Sequence, residues 1–189
     1  KLLKAQTKGD RRGRQRHKEA EAEEWATAVT RERQQEGHEG QSDADEDRPA
    51  DERRRDLSDA LTDAGLSSDA AAEIAASVVD RNLKYQFVDA SLESPAFFTV
   101  EPRSGTVLVK LNTNHPAYDN LVEVLEADVE DVEPDDLRDR LRNAREGLRL
   151  LLLAWARYED ELPDQVRDRA QEARYDWGTV AKYFLRKND

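Results

Sequence analysis

Cysteine and methionine are both absent from the 189 residues. The first absence excludes disulfides, thiolate metal sites and cysteine nucleophiles together. The second, with Lys1 as the first residue, reads as a C-terminal piece of something longer. Apolar residues are scarce as well, at 37% against 38% charged, with a mean hydropathy of -0.95. A single globule using every residue would lack core-forming side chains, so part of the chain is expected to stay solvated. No apolar run approaches the ~18 residues that a membrane helix needs, and no signal peptide is visible, which predicts a cytoplasmic chain with no membrane partner. The net charge of -12 and pI near 4.8 disfavour nucleic-acid binding along the whole chain, because duplex affinity rests largely on neutralising phosphates.

What positive charge there is lies unevenly. The first eighteen residues carry Lys1, Lys4, Lys8, Arg11, Arg12, Arg14, Arg16 and Lys18 against the lone acid Asp10. Arg11, Arg12, Arg14 and Arg16 are therefore candidate phosphate contacts, and the plain alternative is a solvated charged helix. From Glu19 the sign reverses, and the stretch to Ala26 is helix-prone with Trp25 as its one large apolar residue, which predicts an exposed or borrowed helix. Gly37, Gly40 and the acid-rich run from Gln41 to Pro49 have the composition of a disordered linker. The expected division is a charged arm and flexible linker over 1–52, then a domain over 53–189.

Past that boundary, Leu57, Leu61 and Ala64 share a helical face that Gly65 is placed to cap. Ser67 or Ser68 can cap a second helix striped by Ala71, Ile74, Ala75 and Val78. The segment Tyr85–Ala90 is aromatic and β-branched without a helical period, hence a strand. Phe97–Val100 and Thr106–Leu111 flank Glu101-Pro102-Arg103-Ser104-Gly105, a hairpin signal with Pro at the second turn position and Gly where φ is positive. A short helix with Tyr118, Leu121, Val122 and Leu125 follows, then an acidic stretch from Glu126 to Asp136. Leu137, Leu141, Ala144, Leu148, Leu151, Trp155 and Tyr158 recur at four and three on a long helix, and Val166, Ala170, Ala173, Trp177, Val180 and Phe184 on the last one. Pro163 opens that last helix, and the two stripes are expected to meet as a buried antiparallel hairpin with Trp155 in its core. The fold class is α+β: a three-stranded antiparallel sheet packed with about five helices, preceded by a charged, partly helical or disordered arm.

No complete catalytic set is present. Asn112, Asn114 and His115 form a candidate interaction loop directly after a strand, and the plain alternative is that they bond backbone groups where the strand turns into a helix. Asp128, Glu130, Asp131, Glu133, Asp135 and Asp136 could attract a hard cation, but the Asp-x-Asp-x-Asp-Gly order is missing, so a solvated acidic loop is expected. A restriction-type nuclease needs an acid two residues before its strand lysine, and Leu108 stands there before Lys110. No phosphate-cradling glycine loop occurs, so no cofactor or metal site is expected within the chain.

Three segments carry a resemblance. Lys84–Ala90, Ser94–Val100 and Val107–Tyr118, with the closing Trp177–Leu185 and a charged helical arm before the body, resemble the C-terminal region of bacterial GHKL-type ATPases. These have ATP-binding domains like those of histidine kinases and gyrase B, look related to MORC proteins, and often occur in defence or DNA-conflict gene clusters. The resemblance spans roughly residues 84 to 185. The family's Glu-x-x-x-Asn box and Asp-x-Gly-x-Gly loop have no counterparts here, so no ATP-site residue carries over. The resemblance implies a non-enzymatic segment downstream of an ATPase that holds ATP and magnesium elsewhere, with protein partners or self-association as its task. The competing expectation is a nucleic-acid-associated adaptor using residues 1–18.

Overall fold

A computed structural model describes residues 20–127 and 132–186, in two compact units, 1–114 and 115–189. Each unit is treated by itself. In the first unit α1 spans Glu21–Gln35, α2 Ala50–Asp63 and α3 Ser68–Asp80, followed by β1 Tyr85–Ala90, β2 Phe98–Arg103 and β3 Thr106–Asn112. A 3-10 turn, Gln41–Asp45, lies between α1 and α2. The α+β class therefore stands. No helix among the described residues is long and apolar enough to cross a membrane.

All three helices stop where a left-handed residue closes the last turn. Gly37, Gly65 and Asn82 have φ of 91°, 112° and 52°. In each case the next N–H reaches back five residues, as Leu66 N does to Leu61 O at 3.2 Å, and this ties off two carbonyls that the helix leaves unpaired. Leu66 and Leu61 both lie in the core, which adds the apolar contact that accompanies this cap. Ser67 caps α3 by accepting from Ala70 N. The alanine-rich face of α3, with Ala70, Ala71 and Ala75 buried, lets α2 approach closely. The α2–α3 hairpin then covers one face of the sheet, where Val88 and Leu108 join its core of Leu57, Leu61, Ile74 and Val78.

The sheet order is β1-β3-β2, with β2 antiparallel and β1 parallel to β3. The expected all-antiparallel sheet is thus corrected to a mixed one. The cause is local. Ser104 and Gly105, with φ of 48° and 79°, join β2 to β3 by a tight two-residue turn, the left-handed pair that suits a twisted hairpin. That places Pro102 within β2, an edge strand where a missing N–H is tolerated, rather than in the turn. The link from Ser91 to Phe97 must then cross the end of β3, leaving β3's far edge for β1. Phe87, Val109 and Val100 form one row across the second face of the sheet, where Phe98 and Val100 are exposed.

Of the predicted arm and linker, the described part, residues 20–52, lies against the sheet. Helix α1 buries Val29, follows Ala20 of the core, and makes polar contacts at the entry to β1. Lys84 N donates to Thr27 Oγ1 at 2.9 Å, Thr30 Oγ1 shares a hydrogen bond with Tyr85 OH, and Arg31 donates to Asn82 O. The acidic run from Gln41 to Glu46 is held by Lys84, whose buried Nζ donates to Asp43 and Glu46. Residues 21–52 accordingly belong to the same unit as the sheet, and the division between units falls at 114/115 rather than near Arg53.

In the second unit a π-helical turn, Tyr118–Val122, runs into the short α4, Glu123–Leu125. The long α5, Pro134–Glu161, and α6, Asp164–Leu185, complete it. Pro163 sits at the cap, one residue before α6. One face of α5 lies on the turn, burying Ala144 and Gly147. A Cβ at Gly147 would stand 3.1 Å from Asn120 O and 3.2 Å from the Leu121 side chain, so glycine permits this approach.

Candidate interaction surface

The predicted loop residues are found in structural roles. Asn112, fully buried at the end of β3, clamps the link that crosses it. Its Nδ2 donates to Ser94 O and Ala96 O at 2.9 and 3.0 Å, and its Oδ1 accepts from Leu92 N and Asn114 N. Asn114 Nδ2 donates to Ser91 Oγ and Leu92 O on the same link. In the second unit His115 Nδ1 accepts from Ala117 N and its carbonyl from Tyr118 N, which starts the π-helical turn. Arg11, Arg12, Arg14 and Arg16 lie outside the described residues, as do Asp128, Glu130 and Asp131 of the acidic run.

A cluster of charges surrounds the β2–β3 turn. Ser104 Oγ donates to Asp56, Arg103 pairs with Asp56 at 2.9 Å, and Arg48 donates to Ser104 Oγ. The Ser104 hydrogen bond, with Arg103 and Arg48 behind it, holds the Asp56 carboxyl below the usual range against the opposing effect of burial. Arg53 Nε donates to Ser104 O at 2.8 Å and Nη1 to Glu46 O, while Nη2 has no partner and faces the Cα of Gly105. These contacts pin the turn to α2.

Most of the exposed large apolar side chains lie on α5 and α6. The predicted core of this helix pair is not formed: Leu148, Leu152, Trp155, Tyr158 and Trp177 are all exposed, with Trp155 at 41% and Trp177 at 69%. The helices meet at their corner, where Arg167 donates to Glu159 O and Leu162 O and Arg174 pairs with Glu159 at 2.8 Å. Arg174 and the Trp155 indole N–H hold the Glu159 carboxyl below its ordinary value. Both bonds fall on Oε1.

At 3.6 residues per turn, Leu137, Leu141, Leu148, Leu152 and Trp155 form one continuous stripe beside the face that Ala144 and Gly147 bury. Along its open flank stand Arg138, Arg142, Arg145 and Arg149, then Glu159 and Asp160 at the far end. Arg138 and Arg142 pair with Asp135 and Asp139 one turn back. Arg145 and Arg149 have no ion pair among the described residues. From the sequence a partner groove for Trp155, Tyr158, Trp177 and Phe184 is only the lesser reading beside core packing, because the spacing of the two is the same. The usable signal was Leu150–Leu153, a run that makes the helix apolar on more sides than one neighbouring helix can cover. Compared with known proteins, the chain matches no family model, no curated sequence and no solved structure.

Proposed function

We propose that this chain is a non-catalytic interaction module, the C-terminal region of a GHKL-type ATP-binding protein whose ATP site lies elsewhere in the parent. The supporting observation is the open apolar surface of α5 and α6, with Leu148, Leu152, Trp155 and Trp177 exposed on an otherwise highly charged chain. Contiguous apolar patches of more than a few hundred Å² are uncommon on free proteins and mark surfaces that are covered in use. The charged groups around the β2–β3 turn are largely engaged in pinning that turn to α2, and binding is the task that the apolar surface supports. Leu148→Glu with Leu152→Glu is expected to abolish association and reduce binding of an apolar dye, while the melt of the first unit is kept. Calorimetry with magnesium and ATP is expected to give no heat, and micromolar binding would overturn the non-catalytic reading.

The nucleic-acid adaptor reading rests on one observation, the eight basic residues among the first eighteen. Its test is the salt dependence of duplex binding. If Arg11, Arg12, Arg14 and Arg16 contact phosphates, replacing all four with alanine lowers the log–log slope by about four.

A further inference from the structure

We infer that the occupant of the open α5 face is a second copy of this chain, laid antiparallel about a two-fold axis near Leu152; this rests on the interaction-module reading. The argument is the order of charge beside the stripe. On its open side the first half of α5 carries Arg145 and Arg149, without an ion pair among the described residues, beside Arg138 and Arg142, which Asp135 and Asp139 hold, and the end carries Glu159 and Asp160, which Arg174 and Arg157 hold. A parallel copy would set arginine against arginine and acid against acid. An antiparallel copy sets Arg145 against the second copy's Glu159 and Asp160, and does so twice by symmetry.

The same register matches the apolar groups. Leu148 lies beside the second copy's Trp155, Leu152 meets itself at the axis, and Arg149 comes over the second copy's Trp155 ring, a favourable place for a guanidinium. Arg145 and Arg149 have no ion pair within the described residues, so neither must give up a partner. Glu159 binds Trp155 and Arg174 through Oε1 with its side chain only 15% exposed, so the incoming arginine meets Asp160, which is 74% exposed and shares its charge with Arg157 at 3.2 Å.

Sedimentation of the 1–189 chain from 1 to 200 µM is expected to show a monomer–dimer equilibrium. Arg145→Glu with Arg149→Glu is expected to weaken the dimer at least tenfold, and adding Glu159→Arg with Asp160→Arg to restore it. Because Glu159 also holds Arg174, spin labels supply a readout free of that contact. The absence of native cysteine permits single sites. Labels at Ala156→Cys are expected within about 20 Å of each other and those at Asp135→Cys about 50 Å apart, from the rise of 1.5 Å per residue. Short distances at both sites would mean a parallel pair and overturn the inference.

A monomer throughout would overturn it too, and hydroxyl-radical footprinting then separates the two readings. If Leu148, Leu152 and Trp155 are modified in the monomer, the face is open and only the second-copy inference falls. If they are protected, the face is covered within the monomer, and the interaction-module reading falls with it.

Discussion

Lys84 and Asp43, forty-one residues apart in sequence, form an ion pair in which the lysine side chain is only 2% exposed. Glu46 accepts from the same ammonium. A buried cation is costly unless paired, so the acid-rich segment before α2 is recruited to the foot of β1 instead of extending into solvent.

Lys84→Met is expected to leave Asp43 and Glu46 facing one another without their cation. Breaking a buried pair costs ~3–5 kcal/mol, and because Glu46 retains solvent contact the loss here is expected at about 2–3 kcal/mol. Chemical denaturation measures it. Limited proteolysis between Gly37 and Asp51 is expected to accelerate in the variant and not in the parent chain; equal cleavage would show that the pair does not hold the segment.

Acid is expected to act on the same contact. Burial raises the Asp43 carboxyl, but the Gly40 N–H, the Lys84 ammonium and Gln34 overcome this and bring it from 3.8 down to about 2. A carboxyl depressed by folding contributes stability that is present above its unfolded value and lost as pH falls through the folded one. The window is therefore about pH 4 to 2, and the contribution at neutral pH is about 2 kcal/mol. Asp43→Asn is expected to flatten the stability curve across that window, and an unchanged acid limb would exclude Asp43 as its source.

These contacts also show where sequence reading stops. The α2–α3 hairpin, its Gly65 and Ser67 caps and the three strands were legible, because apolar period and capping chemistry are local. Docking of α1 was not: it rests on Thr27 and Thr30 meeting Lys84 and Tyr85, and polar partners carry no period. The parallel pairing of β1 was hidden because it depends on Asn112 holding a link from twenty residues upstream. The stripe on α5 was legible as a stripe, but periodicity records that a face is apolar and not what covers it.

Two glycines with positive φ separate strain from crowding. At Gly65 a Cβ would meet nothing within 4 Å, so Gly65→Ala adds only the left-handed backbone penalty, about 1 kcal/mol. At Gly105 the same Cβ would stand 2.9 Å from Arg53 Nη2 and 3.2 Å from the Glu46 Cα. The guanidinium is held by Ser104 O and Glu46 O and cannot swing away freely. Gly105→Ala is thus expected to cost about 2–3 kcal/mol, strain and displacement together. Urea midpoints compare the two, and equal losses would mean that Arg53 yields.

Leu61 and Trp155 provide the corresponding test of what is core and what is surface. Leu61 is 1% exposed among Leu57, Leu66, Ile74 and Val78, so Leu61→Ala is expected to leave a cavity and cost about 2–5 kcal/mol at any protein concentration. Trp155 is 41% exposed on α5, with its indole N–H on Glu159, so Trp155→Ala removes one hydrogen bond and a half-open ring. At concentrations below the dimer's dissociation constant, that substitution is expected to cost no more than about 1 kcal/mol. At high concentration it is expected to lower the melting temperature further, because a dimer held by this face stabilises the folded chain by mass action and the variant forfeits that contribution. Thermal melts of both variants at two concentrations read the difference directly. A Trp155→Ala loss as large as that of Leu61→Ala in dilute solution would place the ring in a core and remove the open face on which the interaction reading stands.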